Sequence, residues 1–448
     1  MLRAADVLAG YDVPGLVRDH VAAFGGVDAV CYLTDLQQTV LLPFLRPEGQ
    51  GVGEHVQPLP IDSTLAGRVF QHLDVLSQQR PSGNTVLWLP LLDGSERLGV
   101  LAVTLSGVAL NNSAANLTRG AVAERLRGFA SLVGELIMTK TSYGDTIVRL
   151  RRRGEMGLAA EMQWSLLPPL TFACPQLSVA GVLEPAYEVA GDTFDYAVDP
   201  GMAHLAVFDG MGHGLRSAQL AVMAVAAYRH ARRAGRSLAD ICEQIDQVLL
   251  QTSGGQAFST AVLAELDTVS GALRWVNAGH PEPLLIRHGK LINSLHVRPR
   301  PPLGIDLGGT RASPAPVVGS AQLEPGDNVL MYTDGVTDAR APDGTFFGER
   351  RLTDLIIRNL AAGLPVPERC AEWCTPSLNT SKETSATTLP FCWCNGRPTS
   401  TRLCPDTVTA DELVDSLRDQ SLMVGSPLQF ASNPAGAGLS EGRNPWTP

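Results

Sequence analysis

The stretch Phe208-Asp209-Gly210-Met211-Gly212-His213-Gly214 joins an apolar run to an alanine-rich segment. The run His204–Phe208 predicts a short buried strand, and residues Leu215–Arg233 predict a helix. An acid therefore ends the strand, and glycines, which leave room for a ligand beside the backbone, lead into the helix. A carboxylate next to a bare carbonyl suits a hard cation that takes oxygen ligands. An ordinary Asp-Gly turn is the alternative interpretation of the same residues.

The pattern of an acid and a glycine at a strand end recurs in two other places. The apolar run Val329–Thr333 is followed by Asp334-Gly335, and the pair Gly191-Asp192 precedes Phe194-Asp195-Tyr196. Three carboxylates at strand ends can converge on one rim of a sheet. Hydrolases that use hard divalent metals assemble such sets to activate water and to bind phosphoryl oxygens. The recurrence favours a metal site over a set of unrelated turns.

Seven motifs follow one another in an order that resembles the PPM-type metal-dependent serine/threonine phosphatases, in their SpoIIE-like bacterial branch. They are Ala160–Pro168, Ala190–Asp195, Asp209–Gly214, Phe258–Ala261, Asn277–Pro281, Pro302–Gly304 and Tyr332–Asp338. Each motif alone is weak, but the ordered set is specific. The resemblance implies an α+β fold in which two packed sheets are flanked by helices (αββα), over residues 168–370, with metals at one rim.

The resemblance also implies an activity and a ligand set. The expected reaction is hydrolysis of phosphoserine or phosphothreonine on a regulatory protein, with an anti-sigma-factor antagonist as the expected partner class. Asp192, Asp209, Asp334 and the Gly210 carbonyl are expected to hold Mn²⁺ or Mg²⁺ at two sites and to act through metal-bound water. His213 is a candidate proton donor to the leaving alkoxide. Its alternative role is a hydrogen bond that shapes the glycine-rich loop.

Two further polar residues near these motifs have other interpretations. Asp195 either supports the metal rim from outside the ligand set or caps a strand. His280, in the motif Asn277–Pro281, is interpreted as a residue that shapes a turn rather than as a ligand.

Residues 1–115 predict a small α/β domain. A helix is expected at Val17–Phe24 and a second at Leu65–Phe70, and the turn Asp93-Gly94-Ser95 joins the two strands of a hairpin. Two more strands are expected at Ala29–Leu33 and Val40–Leu42. The arrangement resembles a GAF domain, a sensor that binds a small-molecule ligand. A packing or dimerisation module without a ligand is the alternative.

Residues 116–167 contain few helix breakers and predict a long helix that couples the sensor to the phosphatase domain. Apolar residues recur there at helical spacing. They are Leu126, Phe129, Leu132, Leu136 and Ile137. A homodimer formed through this helix is a further expectation. The basic run Arg149–Arg153 is interpreted as a solvated helix face.

The composition excludes two classes of partner. A net charge of −10 argues against general affinity for nucleic acid. No apolar run approaches the ~20 residues that a membrane helix needs. The first residues, Met1–Asp6, lack a signal-peptide pattern, so a cytoplasmic location is expected.

The C-terminal end departs from the family pattern, which closes with a Gly-Asp-Asp-Ala-type turn and an apolar strand that contributes a metal-binding acid. Residues 371–448 have no such turn and are rich in Cys, Ser, Thr and Pro. They predict a disordered tail, a phosphatase domain without its last strand, one weakened metal position and impaired activity. A sensor or binding protein that docks the same partner without catalysis is the alternative function.

A shift of the reading frame accounts for this departure. If the permitted codons of Glu372–Asn395 are read from each third base, one allowed translation contains Gly-Asp-Asp-Ala followed by Ala-Leu-Leu-Leu-Val. Its two acids are encoded across Ala386, Thr387 and Thr388. Loss of one nucleotide near Ala371–Trp373 is the favoured hypothesis. A genuine Cys-rich metal module is the alternative, although the cysteine spacing is not a familiar zinc pattern.

Overall fold

Three antiparallel sheets organise the part of the chain that the computed structural model describes. The described residues are 1–46, 56–106, 118, 120–184, 187, 191–308, 314–338, 346, 348–361 and 386–393. All of the described residues lie within one compact unit, Met1–Cys404. The predicted α+β class is confirmed.

The first sheet has six strands in the order β3-β2-β1-β6-β5-β4. Its strands are β1 (Asp28–Thr34), β2 (Val40–Phe44), β3 (Leu59–Pro60), β4 (Leu76–Gln79), β5 (Thr85–Asp93) and β6 (Glu96–Leu105). The helices of this part are α1 (Leu2–Ala5), α2 (Val13–His20) and α3 (Leu65–His72), with 3₁₀ turns at Gly10–Asp12 and Val21–Phe24. The predicted hairpin around Gly94 is confirmed, because β5 and β6 pair along their whole length. A GAF-like sensor with a ligand stays a prediction.

The predicted coupling helix is three helices rather than one. They are α4 (Ala121–Thr141), α5 (Thr146–Leu150) and α6 (Leu158–Trp164). Leu126, Phe129 and Ile137 of α4 are buried in the same core as Leu87 and Leu101 of the first sheet. Burial of these side chains removes apolar surface from water, which is why α4 packs on the sheet instead of standing free. The apolar face expected to form a homodimer is therefore covered within the chain, and the homodimer stays a prediction.

The other two sheets pack face to face. One has the order β10-β11-β12-β13-β16, and the other has the order β15-β14-β17-β18-β8-β7, with β9 paired to β18. The strands are β7 (Thr171–Ala173), β8 (Leu177–Ala180), β9 (Val182–Glu184), β10 (Thr193–Asp199), β11 (Met202–Gly210), β12 (Ser259–Asp267), β13 (Ala272–Ala278), β14 (Leu284–Arg287), β15 (Lys290–Ser294), β16 (Gly319–Gln322), β17 (Asn328–Tyr332) and β18 (Ala386–Trp393). Side chains from both sheets, including Leu205, Val262 and Met331, share one core.

Two of the helices that follow β11 cover the outer side of the five-stranded sheet. The helices of this part are α7 (Leu215–Arg233), α8 (Leu238–Ser253), α9 (Asp334–Asp338) and α10 (Gly348–Ala361). Ala224 and Tyr228 of α7 and Ile245 of α8 are buried against the strand residues Phe208 and Leu263. This arrangement agrees with the expected layers of helix and sheet. Within the described residues, none of the helices has both the length and the apolar character needed to cross a lipid bilayer.

The C-terminal segment supplies an interior strand, contrary to the sequence-based expectation. β18 lies between β17 on one side and β8 and β9 on the other. The prediction that residues 371–448 contribute no strand is wrong for Ala386–Trp393, because backbone groups make the ladder and Thr, Phe and Trp suit a strand. The predicted disorder of the other residues after 370 concerns residues outside the described ones.

Two turns of the first sheet contact the segment that leads into the other two sheets. The backbone N–H and the hydroxyl of Thr171 in β7 donate to Glu96 Oε2 at 2.7 and 2.8 Å. Arg151 Nε donates to the carbonyl of Thr34 at 3.0 Å, and Leu36 N–H donates to the carbonyl of Arg151 at 3.1 Å. Arg151 thus binds the first sheet, which corrects its interpretation as part of a solvated face.

Candidate active site

The three predicted carboxylates meet at one rim of the two sheets. β10 starts directly after Asp192, β11 ends one residue after Asp209, and β17 ends two residues before Asp334. Because β10 and β11 are antiparallel, with Thr193 opposite Phe208, the start of one strand lies beside the end of the other. The carboxyl groups of Asp192 and Asp209 are within hydrogen-bonding contact, as are those of Asp209 and Asp334. Asp209 is therefore the middle member of the set.

The electrostatics of the three carboxyl groups reflect crowding of like charges. Burial raises the pKa of Asp192 well above its usual value, and the neighbouring Asp209 charge raises it further. Burial and the Asp334 charge raise the pKa of Asp209 to about 6. Burial, followed by the charge of Asp338, raises the pKa of Asp334. A set of carboxylates that repel one another is stabilised by a cation among them.

The glycines beside these acids allow a close approach of two backbones. Gly210 N–H donates to the carbonyl of Gly191 at 3.0 Å. A Cβ atom placed on Gly191 would lie 2.1 Å from the carbonyl oxygen of Gly210. Only glycine fits at position 191, and it lets the Gly210 carbonyl sit next to Asp192 and Asp209.

These donors fit a hard divalent cation in their chemistry. Three carboxylates and a carbonyl offer only oxygen atoms, which Mg²⁺ and Mn²⁺ prefer. Yet among the described residues, no group of three or more His, Cys, Asp or Glu side chains is arranged around a common point for a metal. The carboxyl groups of Asp192 and Asp334 both contact that of Asp209, so these three residues are the ones that would hold the ion.

The structure adds two residues to which the sequence analysis gave no role. Thr333 Oγ1 donates to Asp192 Oδ2 at 2.6 Å, and both side chains are buried. Gln163 Nε2 of α6 donates to the backbone carbonyl of Asp192 at 3.1 Å. Both lie inside motifs that carry the family resemblance, and the signal that could have singled out Thr333 is its position directly before Asp334.

Replacement of Thr333 by valine is expected to lower metal-dependent turnover by about 10- to 100-fold, the usual cost of losing a partner that orients a metal ligand. Valine keeps the volume of threonine but leaves the buried Asp192 carboxylate without its hydroxyl donor. Titration of activity with Mn²⁺ measures the effect as a raised metal requirement. The matched control is Thr333→Ser, which retains the hydroxyl. Equal losses in both variants would assign Thr333 to packing alone.

His280 shapes the turn after β13, as the sequence analysis proposed. Its backbone N–H donates to Asn277 Oδ1 and its carbonyl accepts from Asn277 Nδ2, each at 2.8 Å. His280 Nδ1 lies 2.7 Å from Thr260 Oγ1, and Thr260 pairs across the strands with Asp209. His280 therefore supports the rim from behind. Burial lowers its pKa to about 4.

The buried His280 is expected to make the protein less stable in mild acid. The folded pKa of about 4 lies below the ordinary value of 6.5, so the unfolded chain binds a proton first as the pH falls. Stability is then full above pH 6.5, decreases between pH 6.5 and 4, and is constant below, with a total loss of about 3 kcal/mol. Chemical unfolding at pH 7 and pH 5 measures this loss. His280→Gln should reduce the difference between the two pH values, whereas replacement of the exposed His230 should not.

The two remaining candidates are Asp195, which is bound by arginines, and His213, which lies in the glycine-rich loop. The buried carboxylate of Asp195 accepts from Arg229 at 2.6 Å and from Arg232 at 3.1 Å, both on α7. Asp195 thus joins β10 to α7 and neither supports the metal rim nor caps a strand. His213 is exposed in the glycine-rich loop. Both of its interpretations, proton transfer to the leaving alkoxide and a hydrogen bond that shapes the loop, stay predictions.

Parts of this chain are similar to known proteins. A family model described as "Stage II sporulation protein E (SpoIIE)" matches residues 199–381. The chain contains a SpoIIE-type phosphatase domain of the PPM (PP2C) serine/threonine phosphatase family. The family match includes Asp209 and Asp334 and extends across the segment before β18.

Several relatives share parts of the chain. The protein IcfG of Synechocystis is 34% identical over 105 residues, which are 23% of this chain and 16% of that protein. The phosphoserine phosphatase RsbP of Bacillus subtilis is 27% identical over 201 residues, which are 43% of this chain and 47% of that protein. This chain thus spans less than half the length of either relative. Among solved structures, the catalytic domain of the phosphatase PstP in complex with two manganese ions is 15% identical, with a TM-score of 0.37 over 49% of this chain and 99% of that one.

Proposed function

We propose that the chain hydrolyses phosphoserine or phosphothreonine on a regulatory protein, with Mn²⁺ or Mg²⁺ as its cofactor. The observation that carries the proposal is the meeting of Asp192, Asp209 and Asp334 at the ends of strands from two different sheets. The relative RsbP is a phosphoserine phosphatase. The family resemblance makes an anti-sigma-factor antagonist the proposed substrate class.

The residues of the site have separate roles in this proposal. Asp209, the central carboxylate, contacts both neighbours and would hold metal with the Gly210 carbonyl. Asp192 and Asp334 would complete the ligand set from either side. When bound, a divalent cation would neutralise phosphoryl oxygens and activate water. Thr333 and Gln163 fix the side chain and the backbone of Asp192, so that little reorientation is left for the reaction.

One observation favours a second candidate function, a catalytically impaired sensor or binding protein that docks the same partner. Where the family pattern expects an acid on the final strand, β18 begins with Ala386, Thr387 and Thr388. Two closely spaced divalent ions need several carboxylates to offset their charge. Three carboxylates, those of Asp192, Asp209 and Asp334, lie at the strand ends, so one metal position should be weak.

Turnover of p-nitrophenyl phosphate by the full chain discriminates the two functions. The phosphatase proposal expects turnover that requires Mn²⁺ or Mg²⁺ and that stops with EDTA. The impaired-protein proposal expects no turnover at any metal concentration together with binding of a phosphorylated protein. Absence of both turnover and binding would sink both proposals.

The contacts between the first sheet and β7 suggest how a sensor could act on the site. Glu96 and Arg151 are half-buried at this junction, and the loss of water raises the pKa of Glu96 and lowers that of Arg151. Polar groups withdrawn from water must keep their hydrogen-bond partners, so the two segments that they join can adopt few relative positions. A shift of the first sheet would therefore move β7 or the segment before α6, which carries Gln163.

Glu96→Ala is expected to change the turnover number or the Mn²⁺ requirement by about fivefold, a typical coupling between two sites. The variant leaves the two Thr171 donors without their carboxylate. Steady-state kinetics with p-nitrophenyl phosphate measures the change, and Glu135→Ala, at an exposed position of α4, is the control. Deletion of residues 1–116 should change the kinetics as well. Identical kinetics in all variants would make the N-terminal part a passive attachment.

A further inference from the structure

The loop between Asp209 and α7 presents apolar side chains to solvent. Met211 is 44% exposed and Leu215 is 41% exposed, whereas the core of the same strand and helix is closed to water. Gly212 and Gly214 have φ values of 86° and 78°, which only glycine adopts at low cost. The glycines therefore fix the backbone of the loop. Met211 and Leu215 point outward because of this fixed backbone, and not because the core beneath them is incomplete.

This loop lies at the rim that holds the carboxylates. Met211 N–H donates to the carbonyl of Phe258 at 3.0 Å, and Gly210 pairs with Ser259 at the start of β12. A protein that presents a phosphorylated side chain to Asp209 must contact the loop residues that directly follow Asp209. The other end of β12 leads into a turn with Val269, which is 72% exposed and lies a full strand length from the carboxylates.

The charge of the loop and the helix that follows differs from that of the chain as a whole. The chain has a net charge of −10, yet no acidic residue occurs between Asp209 and Asp240. The first turn of α7 contains the exposed Arg216 and no acid. Among the described residues, Arg216 has no ion-pair partner. An exposed guanidinium beside apolar side chains suits a partner that is apolar and negatively charged.

We propose that residues 211–216 form the surface on which the phosphorylated protein docks, through Met211 and Leu215 for its apolar side chains and Arg216 for its negative charge. The proposal rests on the proposed function, since it supplies the partner of that site. Exposed apolar side chains rimmed by polar groups are the usual form of a protein-binding site. The docking surface is separate from the metal-binding groups, so it should affect phosphoproteins and not small phosphate esters.

The test compares a phosphoprotein with a small phosphate ester. Binding of the full chain to immobilised phosphorylated β-casein is measured in EDTA, where metal-dependent turnover does not occur. Turnover of p-nitrophenyl phosphate is measured separately in Mn²⁺. The variants are Met211→Ser with Leu215→Ser, and Arg216→Glu. Their controls are Val269→Ser and Arg233→Glu, the latter at an exposed position near the other end of α7.

Both docking variants are expected to raise the dissociation constant for β-casein by about fivefold or more, while the controls stay within about twofold of the unaltered chain. Turnover of p-nitrophenyl phosphate should change little, and to the same extent, in the docking variants and in the controls. Failure of the unaltered chain to bind β-casein, or equal weakening by the controls, overturns the docking surface. Lack of p-nitrophenyl phosphate turnover with the binding pattern intact overturns the catalytic proposal and leaves the docking surface supported.

Discussion

Asp209→Ala is expected to abolish Mn²⁺-dependent turnover of p-nitrophenyl phosphate. Asp209 is the one carboxylate in contact with both Asp192 and Asp334, so its loss separates the remaining two. The effect should exceed the about 10- to 100-fold that loss of an outer-shell partner costs, because a charge that would bind the metal directly disappears. Titration of activity with Mn²⁺ measures the loss of turnover, and calorimetry measures the loss of Mn²⁺ binding.

The matched control for this substitution is Asp199→Ala. Asp199 lies on β10, at the end opposite the carboxylate rim, and is exposed. That variant removes the same charge from the same sheet and should keep full activity. Retention of activity by Asp209→Ala would show that the three carboxylates are not the site. Because removal of a buried like charge also relieves repulsion, the thermal stability of Asp209→Ala without metal should be unchanged or higher.

The rim itself could be predicted from the sequence because each acid marks the end of an apolar run. Strand ends are local features, and the periodic patterns around Asp209 and Asp334 show them directly. The antiparallel arrangement of β10 and β11 then places Asp192 opposite the end of the next strand. Glycine at position 191 was visible as a motif, but its reason, the approach of the Gly210 carbonyl, depends on the neighbouring strand.

Contacts between distant segments could not be predicted in the same way. The two arginines that bind Asp195 lie 34 and 37 residues farther along the chain, on the inner side of α7. The position of Asp195 in the sequence does not indicate whether its carboxylate binds an arginine or a metal ion. Likewise, the apolar stripe of α4 predicts a buried face without saying whether a second chain or the first sheet covers it. The structure answers this with Leu87 and Leu101.

The position of β18 bears on the frame-shift hypothesis. The strand covers Ala386–Trp393, and over those same codons the allowed translation in the alternative frame is Asp-Asp-Ala-Ala-Leu-Leu-Leu-Val. Thr388 pairs with Tyr332, two residues before Asp334, so the start of β18 lies at the rim of the carboxylates. Acids encoded across Ala386–Thr388 would therefore stand where a further metal ligand is needed. The encoded acids and the carboxylate rim thus coincide in position, which supports the frame-shift hypothesis from the backbone pairing of β18 alone.

The present residues suit an interior strand less well than the alternative ones. Pro390 lies opposite Leu330, between two neighbouring strands, and proline has no N–H group to donate to a ladder. In the alternative frame, leucine would stand there and could donate. Interior strands buried on both faces are commonly apolar and β-branched or leucine-rich. Restoration of the frame should thus improve both the sheet and the site.

A chain with the alternative frame restored from Glu372 onward is expected to show higher Mn²⁺-dependent turnover and a higher melting temperature than the chain as it stands. Each gain of ~1 kcal/mol in folding free energy raises the melting temperature by about 2–4 °C in a domain of this size. Ala386→Asp alone separates the two effects, because it supplies an acid near Asp334 but leaves Pro390 in the strand. It should raise Mn²⁺-dependent turnover with little gain in stability, and Thr401→Asp, outside the strand, is its control.

The nucleotide sequence around Ala371–Trp373 is the first measurement to make, because a single lost base there would explain the whole C-terminal composition. The hypothesis requires that the codons of Glu372–Asn395 spell the acids and the leucines when they are read one base out of register. Codons that do not spell them refute it before any protein is made. If they do, and the restored chain is neither more active nor more stable, then the present β18 is the functional strand. The site would in that case rely on Asp192, Asp209 and Asp334 as its described carboxylates, and the impaired-protein function would be favoured.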